Sequence, residues 1–159
     1  MKNTTLVLAF RSKEFEEILL GYKKAGFGAG KYTGFGGKVQ FRETITEAAV
    51  REFTEETGIL LNISCLQKVA ILDFHFPYKH EWDQTVHVFI TRDLKMEAIE
   101  STEMIPSWFP VADIPYKQMW DDARYWLPQI LKGDTFRANF YFQPDNSLVA
   151  NLYFNPLFS

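Results

Sequence analysis

Residues 37–59 read GKVQFRETITEAAVREFTEETGI. Thr44 followed three residues later by Glu47 fits a capping box, and Gly58 sits where a left-handed glycine closes a helix. The pattern therefore predicts a helix over residues 44–57. At ~100° per residue, Glu52, Glu55 and Glu56 fall on the side that also holds Ile45, Ala48 and Ala49, with Phe53 beside them. Thr46, Glu47 and Thr54 take the opposite, solvent-facing side. Clustered carboxylates against an apolar stripe repel one another and lose hydration, which is costly unless something compensates. A hard divalent cation is the usual compensation. Oxygen donors favour Mg2+, with Mn2+ able to substitute, and Mg2+ tends to be shared between carboxylates and substrate phosphates. Arg51, one turn before Glu55, is expected to hold Glu55 and offset part of the charge. Ahead of the helix, Gly36-Gly37 allows close backbone approach, so a carbonyl can be aimed at a metal, and Lys38 is placed to meet a phosphate. No Gly-Lys-Ser/Thr opens a helix here, which excludes a P-loop.

Outward from this stretch, residues 4–10 and 17–23 read as strands, followed by a loop of small residues at 26–30. Strand candidates follow at 65–76 and 84–91, and a short extended piece at 107–111. A second helix is expected over 121–132, then a terminal hairpin over 136–142 and 148–154. The sum is a mixed α/β chain. Its 159 residues fit one domain spanning 1–159. A net charge of −3 and a pI of about 5.6 argue against a nucleic-acid polymer as partner, while leaving room for a small anion held by a few lysines or a metal. The apolar run at 6–10 is too short to span a membrane. The one cysteine, Cys65, allows no intrachain disulfide. It reads as a small buried apolar residue of a cytoplasmic protein. His87, in an apolar strand, reads as a satisfied packing residue.

The spacing G-x5-E-x7-R-E-U-x-E-E-x-G-U, with U an apolar residue, is that of the Nudix box. Gly37, Glu43, Arg51, Glu52, Glu55, Glu56 and Gly58 meet its fixed identities, and Phe53 and Ile59 fill its apolar places. The chain also resembles the MutT homologue class of Nudix hydrolases, which acts on 8-oxo-dGTP. The resemblance runs through GYKKAGFGAGKYTGFGGKVQ at 21–40, Val86-His87-Val88-Phe89, Glu100-Ser101-Thr102-Glu103-Met104, Trp108-Phe109, Ile114-Pro115 and Met119-Trp120-Asp121-Asp122. It implies a Nudix α/β/α sandwich, with a central mixed β-sheet between helices. It also implies that Glu52, Glu55, Glu56, Glu103 and the Gly36 carbonyl hold Mg2+. The implied reaction is attack by water on a phosphorus of the diphosphate chain, so that a nucleoside triphosphate yields the nucleoside monophosphate and inorganic diphosphate. Attack on a polyanion needs its charge neutralised and its water deprotonated. Glu52 is the first candidate for base and Glu103 the second.

In the resembled class the purine lies among aromatics and is read by an Asn and paired acids. Carried over, the pocket comprises Phe27, Phe74, Phe76, Trp120, Trp126 and Phe142, with Thr5 and Lys23 at matching strand positions and Asp121 and Asp122 as acids. Two departures bear on base reading. Thr33 stands where the family has Asn, offering a hydroxyl in place of an amide. Registering on Trp120 and Trp126 puts Asp122 and Ala123 at the two acidic places. The expected function is hydrolysis of oxidised purine nucleoside triphosphates by a monomer whose partner is a small nucleotide. The departures keep open another nucleoside diphosphate derivative, such as a dinucleoside polyphosphate, a nucleotide sugar or an unmodified dNTP. A non-catalytic nucleotide-binding regulator is disfavoured by the intact box.

Overall fold

KNTTLVLAF forms β1 (Lys2–Phe10), and Val7, Leu8, Ala9 and Phe10 are all fully buried. A strand apolar on both faces must lie inside a sheet with layers above and below. The computed structural model, which describes residues 1–157, puts it there. The other elements are β2 (Glu17–Lys23), β3 (Tyr32–Thr33), α1 (Ile45–Thr57), β4 (Gln67–His75), β5 (Gln84–Thr91), β6 (Met104–Pro110), α2 (Ala123–Leu131), β7 (Phe136–Phe142) and β8 (Val149–Pro156). The sheet runs β3-β2-β1-β5-β4-β7-β8, with β6 also paired to β2. β1 with β5 and β4 with β7 are parallel; the remaining pairs are antiparallel. The sheet is therefore mixed.

Alternation along β1 divides two cores. Val7 and Ala9 face α1, packing with Ala49, Phe53, Phe35 and Phe89. Leu8 and Phe10 face α2, packing with Trp126, Leu127, Ile130, Leu72 and Val88. A helix thus covers each face, in the α/β/α order expected. Burying one such Phe or Leu stabilises the chain by about 1.5–3 kcal/mol relative to exposure. The predicted capping box is present: Glu47 N–H donates to Thr44 Oγ1 at 3.1 Å, and Thr44 N–H to Glu47 Oε1 at 3.0 Å. Gly58 ends α1 at φ 75°, a conformation that favours glycine.

Several expectations change. β6 begins at Met104, three residues before the extended piece read from sequence, because it pairs along the whole of β2. Two-residue β3 carries no sequence signal and exists as a partner for Gly21 and Tyr22. Cys65 is exposed rather than buried, since residues 63–65 form a single 3-10 turn at the surface. His87 is satisfied as expected. The Lys68 ammonium can only donate, so His87 Nδ1 accepts from it at 3.1 Å, leaving Nε2–H for Asn3 Oδ1 at 2.9 Å. Burial, then the nearby Lys68 and Arg137 charges, hold its pKa down to about 4. No helix among the described residues is long and apolar enough to cross a membrane.

Candidate functional site

Residues 34–38 return along β1. Val7 N–H donates to Phe35 O at 2.6 Å, and Thr5 N–H to Gly37 O at 2.9 Å. Any side chain at Gly36 would drive its Cβ to 1.7 Å from the Thr5 carbonyl, and one at Gly37 would meet the Glu52 carboxylate at 2.5 Å. Gly36 is thus required for the loop to lie against β1, whereas a side chain at Gly37 would displace the Glu52 carboxylate. So placed, Gly36 N–H donates to Glu56 Oε1 at 2.8 Å. The Gly36 carbonyl accepts no hydrogen bond among the described residues.

Arg51 does more than hold Glu55. Its Nε and Nη2 donate to the two oxygens of Glu43 at 2.6 and 2.9 Å, a bidentate pair. Nη1 donates to Glu52 Oε1 at 2.8 Å, and Nη2 also donates to Lys38 O at 3.0 Å. Glu55 is only a marginal partner at 3.4 Å, and its side chain is 58% exposed. The helix wheel finds Glu55 alone because Glu43 comes from the loop before α1. Arg51 therefore clamps the 38–43 loop to the helix and leaves the Glu52 carboxylate against Gly37.

Glu56 is buried. Burial first, then the Glu52 and Glu103 carboxylates, push its pKa up to about 8, against the Gly36 hydrogen bond and the Lys23 charge. Glu103 lies on an exposed loop, near enough to contribute to that rise. Among the described residues no three His, Cys, Asp or Glu side chains converge as a metal site. What the backbone brings together is two carboxylates, Glu52 and Glu56, and the free Gly36 carbonyl, with Glu55 and Glu103 at the solvent side. The donors are all oxygen, and the buried Glu56 carboxylate forms no ion pair among the described residues, the Lys23 charge acting only at a distance. That chemistry fits a hard divalent cation.

Beside this acidic face opens a cavity of about 420 Å³. Gly36, Gly37 and Lys38 form part of its wall, which makes the two regions continuous. Of the residues carried over from the resemblance, Thr5, Lys23, Phe27, Thr33, Phe74, Phe76, Trp120, Asp122, Trp126 and Phe142 line it as well. The walls come from β1, β2, the 26–38 loop, β4, α2 and β7, elements far apart in sequence. Sequence reasoning missed Lys2, Lys31, Trp82 and Gln84. Lys31 directly follows the glycine loop, which is a signal; Trp82 lies in a connection with no motif.

Asp121 is a correction. Its carboxylate accepts from Arg124 Nε at 2.8 Å and from Val149 N–H at 2.9 Å, and it does not line the cavity. Successive residues entering a helix point about 100° apart, so one acid of the pair faces in and the other out. Asp122 faces in. It occupies the N-cap position of α2 but makes no cap bond, its backbone being already helical at φ −64° and ψ −30°; its Oδ2 accepts from Trp126 Nε1 at 2.6 Å. Ala123 lies beside it in the wall and contributes no acid.

Burial pushes the Asp122 pKa to about 6, against the Trp126 hydrogen bond. The folded state then binds more protons than the unfolded state between the ordinary 3.8 and about 6. The stability contributed by this group is present below that interval and lost as pH rises through it. Asp122→Asn keeps an acceptor for Trp126 and does not titrate. The Tm difference, variant minus wild type, should therefore increase across that interval. A constant difference would mean that Asp122 is already ionised throughout.

Comparison with known proteins agrees with this geometry. The NUDIX domain family matches residues 2–130. The oxidized purine nucleoside triphosphate hydrolase of Danio rerio is 43% identical over 150 residues, covering 94% of this chain and 92% of that protein. That of Mus musculus is 40% identical over 146 residues, covering 92% and 90%. Among solved structures, the MutT protein of Bacillus halodurans superposes with a TM-score of 0.81 at 19% identity, covering 98% of each chain.

Proposed function

The chain belongs to the NUDIX domain family, and from that premise we propose that it hydrolyses oxidised purine nucleoside triphosphates to the monophosphate and diphosphate. The observation that carries this is the continuity of two unlike regions. A cavity walled by aromatics, with one buried acid, runs through the Gly36-Gly37 backbone into a face of carboxylates whose buried member, Glu56, has no ion-pair partner among the described residues. An aromatic cavity suits a planar base, and an acidic face suits a cation that a polyphosphate can share. The relatives named oxidized purine nucleoside triphosphate hydrolase support the same substrate class.

In this reading Glu52, Glu56 and the Gly36 carbonyl hold a divalent cation, Mg2+ in the first instance, with Glu55 and Glu103 completing the set. When bound, the cation neutralises the diphosphate and acts as a Lewis acid. Lys23 and Lys38 pair with the phosphates from the cavity wall. Glu52, held by Arg51, orients the attacking water and accepts its proton, with Glu103 as the alternative base. The base enters among Phe27, Phe74, Phe76 and Trp120, and Asp122 and Thr33 read its edge. Residues 1–159 work as one domain, a monomer in the cytoplasm.

Steady-state kcat/KM with Mg2+ for 8-oxo-dGTP, 2-oxo-dATP, dGTP and a dinucleoside polyphosphate tests this. We expect an oxidised purine to lead dGTP by at least about tenfold, the scale of the net gain from one hydrogen bond. No turnover of any would end the reading. A lead for the dinucleotide would favour a second reading, in which Thr33 and Ala123 in place of an amide and a second acid have changed the substrate while the hydrolytic chemistry remains.

A further inference from the structure

Trp82 enters the cavity from a segment with no recognisable motif. Residues 76–83 join β4 to β5 and end in a 3-10 turn over His80–Trp82. The turn is tied down from several directions. Phe76 N–H donates to Asp83 Oδ1 at 2.7 Å, Trp82 N–H to Lys79 O at 2.9 Å, and Lys2 Nζ to Glu81 O at 2.9 Å. The Lys79 ammonium lies 4.4 Å from the Trp82 ring centroid. This indole is therefore a fixed wall, not a loose surface ring.

Its neighbours define what it can do. Phe27 and Trp120 are stacked on each other, with centroids 5.1 Å apart and planes 16° apart. A planar base needs contact distances of roughly 3.5–4 Å on both faces, so it cannot lie between this pair while they remain stacked. Trp82 stands across the stack, at 82° and 5.0 Å from Phe27 and at 85° and 6.2 Å from Trp120. Phe76 meets it edge-on at 5.5 Å. The aromatic surface left to a base therefore includes the upright Trp82 ring as well as the stack. Any base can stack on such walls, but a purine offers two fused rings and a pyrimidine one, so each added aromatic wall gives purines the larger contact area.

We propose that Trp82 is a base-contacting residue that selects purine over pyrimidine nucleotides. The inference rests on the reading of this cavity as the base site. It extends that reading to a residue on which the sequence motifs are silent.

Calorimetric titration of wild type, Trp82→Ala and Trp82→Phe with 8-oxo-dGMP, dCMP and inorganic pyrophosphate tests it without turnover. Loss of the ring should weaken 8-oxo-dGMP by at least about tenfold, dCMP by a smaller factor as its single ring offers less area, and pyrophosphate not at all. Trp82→Phe should recover most of the loss. In steady-state kinetics with 8-oxo-dGTP, KM should rise while kcat stays within about twofold. Unchanged 8-oxo-dGMP affinity in Trp82→Ala overturns the proposal. So does equal weakening of all three ligands, which would mark a purely structural wall, or no recovery in Trp82→Phe. Wild-type turnover tests the function separately. A wild type that binds 8-oxo-dGMP through Trp82 but hydrolyses no triphosphate would sink the function and leave this inference standing. A wild type that binds no purine monophosphate would overturn the inference.

Discussion

Glu56→Gln should lower kcat by at least about 100-fold while leaving the fold intact or more stable. Loss of supporting groups around a metal already costs ~10–100-fold, and a direct ligand should cost no less. The stability half of the prediction follows from burial. In the free protein Glu56 keeps its proton up to about 8, against an ordinary 4.5, because burial and the Glu52 carboxylate oppose ionisation. The folded state binds more protons than the unfolded across that interval. The stability this group contributes is thus fully present below the lower value and lost as pH rises through the upper one. Glutamine is neutral throughout and still accepts from Gly36 N–H through its amide oxygen. In chelator, the Tm of the variant should match wild type at acid pH and pull ahead as the solution becomes alkaline. Added Mg2+ should then raise the wild-type Tm selectively, since a cation bound only by the folded state stabilises it. Near-normal kcat would remove Glu56 from the site.

Arg51→Ala should damage stability and activity together. The Arg51 side chain is 23% exposed and satisfies Glu43, whose side chain is 13% exposed, through two bonds, besides Glu52 and the Lys38 carbonyl. Removing it leaves two largely buried carboxylates without a countercharge, Glu43 keeping only the Gln40 N–H bond at 2.9 Å. That loss is worth about 3 kcal/mol, or roughly 6–12 °C in Tm for a chain of this size. Activity should fall by about 10–100-fold as the Glu52 carboxylate loses its orientation. Arg51→Lys keeps the charge but not the fork, so it should recover part of the stability and little of the activity. A Tm within about 1 °C of wild type for Arg51→Ala would show that the clamp is not formed in solution.

The helix and its acids were legible because their signals are local. A capping box, a terminal glycine and a 3.6-residue period all lie within one stretch, and each is enforced by bonds between residues a few positions apart. The long spacing from Gly37 to Ile59 carried the family for the same reason. The strands of the sheet were legible as apolar runs, but their order was not. Which strands pair in parallel depends on contacts such as Lys2 with Gln84, far apart in the chain.

Four residues show where sequence reasoning stopped. Asp121 and Asp122 are adjacent and chemically alike, yet the turn into α2 sends one to Arg124 and Val149 and buries the other against Trp126. Cys65 was read from its apolar character, but a surface turn exposes it. Trp82 carries no motif and becomes a cavity wall only when the 76–83 segment is anchored beside Phe27 and Trp120.

The one-dimensional chain therefore determined the chemistry on offer: acids on one helix face, glycines before it, lysines and aromatics in reserve. Folding in three dimensions decided which of these meet. It set Glu56 against Gly36, closed Arg51 on Glu43 and chose Asp122 over Asp121. The physical reason is that charge, hydrogen-bonding capacity and helical period belong to a residue and its near neighbours. Burial and desolvation depend on every element packed around a side chain, and no local stretch contains them.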